Sequence, residues 1–127
     1  MKGLKIFILI VAVGIISFLL FIFFHVFSPE IYNFSNRTPF DSKQWVEWND
    51  DIGDTSLRWH MVKDLTKKYE LVGMTVNEIK DLLGEPTTEY KTHLDYNLGM
   101  SGHGIDYGVL SLTVDNGIVI EYKIWHG

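Results

Sequence analysis

No cysteine occurs anywhere in the chain, which excludes disulfides, thiolate catalysis, cysteine metal sites and a lipid-modified N-terminal cysteine. Proline is scarce as well, and the first of the three is Pro29, so nothing before it breaks a helix. Positive charge is the third shortage: eleven Lys and Arg stand against sixteen Asp and Glu, for a net charge of −5. With Lys2 and Lys5 set aside, the remainder carries nine basic against sixteen acidic residues, or −7. Such a surface repels phosphate backbones and anionic headgroups, which argues against nucleic acid as a partner.

Charge is missing altogether from residues 6–24, nineteen positions of which sixteen are Ile, Leu, Phe or Val. As a helix this run spans about 28 Å, the thickness of a bilayer's hydrocarbon core. On an insertion scale its large apolar residues sum to roughly −5 to −10 kcal/mol, so a transmembrane anchor is expected over residues 1–27. Lys2, Lys5 and the free amino terminus precede the run, and the next basic residue is Arg37. The positive-inside rule then keeps the N-terminus in the cytoplasm. The expectation is a single-pass protein of the cytoplasmic membrane with an extracytoplasmic C-terminal domain. A cleaved signal peptide is the competing reading, since Val26-Phe27-Ser28 weakly imitates a cleavage site, but the apolar run exceeds the usual ~7–15 residues. His25 marks the exit of the helix at the lipid–water boundary.

Residues 28–40 contain Pro29, Pro39, Asn33, Ser35, Asn36 and Thr38, the composition of a linker. The rest, 41–127, is long enough for one small core. After Asp41, a cap, residues 42–48 form two helical turns with Trp45 and Trp48 on one side, closing the core edge. Asn49, Asp50, Asp51, Gly53 and Asp54 resemble a calcium loop in composition but lack its alternating spacing, and read as a solvated turn ending in a cap at Asp54. The next helix is expected over 55–69, with Leu57, Met61, Val62, Leu65 and Tyr69 as its apolar stripe and His60 facing partly outward. A second helix starts at Thr75, where Thr75 and Glu78 make a capping box with Met74 as a staple on Ile79. It buries Ile79, Leu82 and Leu83 and stops at Gly84 and Pro86.

From Thr88 the period changes to two. Tyr90, Thr92, Leu94, Tyr96 and Leu98 alternate with polar residues along one strand, and Leu110, Leu112 and Val114 do so along the next. Asp115-Asn116-Gly117 turns the chain into a last strand over 118–125. Two registers are open there. A three-residue loop with Gly117 left-handed is preferred, placing Ile118, Ile120, Tyr122 and Ile124 inward and Glu121 and Lys123 in water. The fold expected is therefore α+β: an N-terminal transmembrane helix, then a two-layer domain of two helices packed on a three-stranded antiparallel sheet.

The steps Gly73-Met74-Thr75, Glu78-Ile79 and Leu82-Leu83-Gly84-Glu85-Pro86, followed by Leu110, Leu112, Val114, Gly117 and Val119, resemble the BamE (SmpA/OmlA) type of envelope domain over roughly residues 58–125. The resemblance implies a helix–helix–three-strand domain that binds other proteins, in that family to assist insertion of outer-membrane β-barrels. Members of the family are typically held by an acylated cysteine, whereas this chain offers residues 6–24 instead. What carries over is the fold and a general binding role.

The loop joining the first two strands holds Gly99, Met100, Ser101, Gly102, His103 and Gly104, followed by Asp106, Tyr107 and Gly108. It does not lead from a strand into a helix, so a phosphate cradle is not available. Ser101, His103 and Asp106 invite comparison with a hydrolase triad, but three residues crowded on one short loop seldom hold the required geometry. Gly99, Ser101, Gly102, His103, Asp106 and Tyr107 are taken as a candidate protein-binding loop, with a plain structural turn as the alternative. His60, His93, His103 and His126 are scattered without ligand spacing, so no metal and no cofactor is expected. The chain is read as a non-enzymatic, membrane-anchored module of the cell envelope that binds another protein. The alternative is an inhibitor or immunity-type protein that neutralises a toxin or secreted enzyme.

Overall fold

The structure, a computed structural model, describes the backbone of residues 1–127 and every side chain except that of Tyr32. The first helix, α1 (Lys2–Ser35), exposes its apolar side chains in every direction, with Phe7 at 64% and Phe21 at 68% accessibility. It is long and apolar enough to cross a membrane. A helix apolar all round has no place within the protein to hide that surface from water.

α1 does not end where the linker composition begins. It continues through Pro29, whose ring forfeits the bond to the His25 carbonyl, and reaches Ser35. The remaining linker residues join the head: the Thr38 N–H donates to the His60 carbonyl at 3.1 Å and the Phe40 N–H to Asp64 at 2.6 Å. Phe40 itself is buried in the core.

Three helices, not two, belong to the head. In α2 (Ser42–Glu47) Asp41 caps the first turn by accepting from the Gln44 N–H, and Trp45 is fully buried. Arg58, buried at the start of α3 (Leu57–Lys68), lies 5.1 Å over the Trp45 ring and 5.0 Å over that of Trp48, and its Nε donates to the Trp45 carbonyl. Asp54 acts one step earlier than expected: its carboxylate accepts from the Ser56 N–H within the turn, and Ser56 takes the cap position. Met61, Val62 and Leu65 face the core as the stripe requires. α4 (Val76–Leu83) carries the reciprocal Thr75–Glu78 capping box and stops at Gly84, φ +75°.

The sheet has four antiparallel strands in sequence order, β1 (Thr88–Tyr90), β2 (His93–Met100), β3 (Tyr107–Asp115) and β4 (Ile118–His126). The segment expected as one strand from Thr88 folds back at Lys91 and Thr92, so that Tyr90 pairs with His93. Leu94, Tyr96, Leu98, Leu110, Leu112, Val114 and Val119 line the covered face, with α3 packed on β2 and α2 against α4. The result is an α+β two-layer head.

The last hairpin departs from the preferred register. Asn116 and Gly117 both take positive φ, 49° and 78°, which makes a two-residue turn of the primed type. Val119 then goes inward, Ile118 and Ile120 are exposed, and a bulge between Thr113 and Val114 on the ladder absorbs Ile120. Beyond the bulge the expected alternation returns: Tyr122 pairs with Leu112 and Ile124 with Leu110, while Glu121 and Lys123 lie on the open face.

Candidate functional site

The β2–β3 loop is fastened on three sides. Gly99, φ +79°, sits against the Thr55 carbonyl so closely that any Cβ would overlap it, and the next N–H, of Met100, donates to that carbonyl at 2.9 Å. Gly108, at the other end, has the Trp59 ring pressed against it and is also without room for a Cβ. Between them the Ser101 N–H donates to the Asp106 carbonyl at 3.0 Å, and the Ser101 carbonyl accepts from Asn33 Nδ2 of α1 at 2.8 Å. The end of α1 is thus bonded directly to the loop.

Ser101 is fully buried, and its hydroxyl accepts from the His103 backbone N–H at 3.3 Å. The His103 ring faces elsewhere: Nε2 stands 3.4 Å from Glu30 on α1, and the ring stacks on His126 of β4 at 4.4 Å, within 4° of parallel. His126 in turn places Nδ1 3.8 Å from Asp106 and meets the edge of Trp59 at 6.2 Å. Two imidazoles are therefore sandwiched between two carboxylates, one from the helix and one from the loop. With the serine hydroxyl buried against backbone and the imidazole turned to Glu30, the loop does not assemble an attacking group with its base. What the arrangement does is join α1, the loop and the end of β4.

A cleft of about 260 Å³ opens beside this stack. Phe34 and Arg37 border it from the α1 side, Trp59, Val62 and Lys63 from α3, and Ile124 from β4. His60 lies at its back, buried rather than partly outward, with Nδ1 3.8 Å from Asp54. Burial pushes its ring below the ordinary imidazole pKa, and the Asp54 carboxylate opposes that shift. Among the described residues no group of three or more His, Cys, Asp or Glu is placed to hold a metal ion.

Of the loop residues singled out in the sequence, Gly99 and Ser101 are buried, Gly102 packs against Asn33, His103 is one ring of the stack and Asp106 flanks it. Tyr107 is exposed at the start of β3, and Ile105 at the loop tip is 86% exposed. Glu30, Asn33, Trp59 and His126 complete the site and escaped sequence reasoning, because they come from three other elements with no local spacing to connect them. No family model, no curated protein and no solved structure matches the chain.

Proposed function

We propose that the chain is a membrane-anchored cell-envelope protein whose extracytoplasmic head binds another protein as an assembly or scaffold module. The observation that carries this reading is the loop: its base is clamped to Thr55, Asn33 and Trp59 while its tip holds Ile105 and Tyr107 out in solvent. An exposed apolar tip on a fixed base is preorganised for docking, since little freedom is lost on binding. Lys2 and Lys5 ahead of the apolar run support a cytoplasmic N-terminus. The capped helix ending in Leu82-Leu83-Gly84-Glu85-Pro86 and the hairpin that follows support a BamE-like head.

An inhibitor or immunity role is the second reading, favoured by the −7 charge of the chain beyond Lys5, which suits a basic toxin or secreted enzyme. A photo-crosslinking residue in place of Ile105, used in the native membrane, tests both. Capture of barrel-assembly components supports the scaffold reading, and capture of a single soluble toxin or enzyme supports inhibition. Absence of any protein adduct at Ile105, with adducts elsewhere on the head, contradicts a binding role for the loop.

A further inference from the structure

β4 is an edge strand, and part of its free edge is already used. The Val119 N–H donates to the Met74 carbonyl and its carbonyl accepts from the Gly73 N–H, so residues 73–75 cover the first turn of the strand. Beyond the bulge no neighbouring strand follows in the sheet order. The bond from the Gly127 N–H to the Tyr107 carbonyl fixes the alternation of the β3–β4 ladder: Trp125, Lys123 and Glu121 turn their backbone groups toward β3, and Tyr122 and Ile124 turn theirs away.

We infer that this edge pairs with the same edge of a second copy, antiparallel about a two-fold axis through Tyr122. In that register Tyr122 exchanges both backbone bonds with Tyr122 of the second copy, and Glu121 falls opposite Lys123, twice by symmetry. Within one chain these two side chains already lie 3.8 Å apart on the open face, mostly exposed. Ile120, 54% exposed, comes to face Ile124 of the other copy. The charges also select the register. A parallel pairing in step sets Glu121 against Glu121, and sliding one strand by two residues sets Lys123 against Lys123 or Glu121 against Glu121, so both ion pairs are lost.

A two-fold relating antiparallel strands stands perpendicular to the sheet, so the covered faces of both heads point the same way. α1 reaches each head on that covered face, where Glu30 and Phe34 share the cleft with Trp59 and Ile124. Two copies anchored in one bilayer are confined to its plane, which raises the effective concentration of one edge at the other, so a short interface suffices. The pairing uses an edge away from the Ile105 tip and does not depend on what that tip binds.

The chain's lack of cysteine makes the test direct. Tyr122→Cys and, as a control on the exposed surface of α4, Asn77→Cys are made in the full-length protein and oxidised mildly in the native membrane. Paired edges bring the two Tyr122 positions to about 5.5 Å between Cα atoms, within disulfide reach. The expected result is a disulfide dimer of twice the chain mass for Tyr122→Cys and several-fold less for Asn77→Cys. In the Tyr122→Cys background, Glu121→Lys or Lys123→Glu alone lowers the dimer yield several-fold, and the two together restore it. Equal yields at positions 122 and 77, an adduct at 122 of another mass, or no restoration by the double exchange overturns the pairing. Circular dichroism of each variant separates loss of pairing from loss of fold.

Discussion

α1 and the head solve the same problem in opposite ways. In the head, Leu98, Leu110 and Leu112 are fully buried in the core between the helices and the sheet. In α1, Phe18, Leu19 and Phe21 are 58–68% exposed, with nothing of the protein over them. Area buried within the protein stabilises the head at roughly 25 cal/mol per Å². The helix gains the same transfer energy only if a bilayer supplies the apolar surroundings. One region is therefore held together by its own packing while the other leaves its apolar surface to its surroundings, and each can be broken without breaking the other.

The most disruptive change attacks the helix. Ile15→Arg with Leu19→Arg puts two charges at mid-bilayer, each costing about 2.5–3.5 kcal/mol, and cancels most of the insertion energy. The double variant is expected to leave the alkali-resistant membrane fraction while its head keeps its melting transition. Next in size is Trp45→Ala, which empties the core beneath Arg58 and costs about 3–5 kcal/mol. Chemical denaturation should show this loss with membrane retention unchanged. Thr75→Ala removes the cap of α4 and one side of its box, for a loss of about 1 kcal/mol by the same measurement.

The smallest effect comes from pH and again falls on the head alone. Burial holds His60 below the ordinary imidazole pKa, so the unfolded chain binds a proton more readily than the folded one. The contribution of the neutral ring is full above about pH 6.5 and is lost as the pH falls through the lower folded value. Stability measured from pH 7 to pH 5 should decline, and His60→Gln should flatten that slope. Asp64, held below the usual carboxylate range by Lys68 and the Phe40 N–H, acts in the same direction only at lower pH.

What the sequence disclosed was local. The uncharged run and the Thr75–Glu78 box carry their meaning within a few residues, and both are present as read. The break between β1 and β2 was hidden because Tyr90, Thr92 and Leu94 keep a period of two straight through the turn, with neither Gly nor Asn to mark it. A bulge at Ile120 shifted the register of β4, a tertiary adjustment that periodicity does not encode. His60 looks solvent-facing on a helical wheel, and the charge of Arg58 disguises its place on the apolar stripe. Their burial depends on Trp45, Trp48, Asn97 and Asp54, brought to them by the fold. The stack of His103 on His126 was illegible for the same reason, since Glu30, His103 and His126 come together only after the loop has docked on α1.

The account rests on α1 as an uncleaved span with its charged end inside and the head outside. Lys2→Cys and Asn77→Cys, each the sole cysteine in its chain, are exposed to a membrane-impermeant maleimide on intact cells. The account predicts labelling of full-length protein at position 77 at once, and at position 2 only after permeabilisation. Labelling at position 2 in intact cells, or a labelled product at position 77 that lacks residues 1–27, contradicts it.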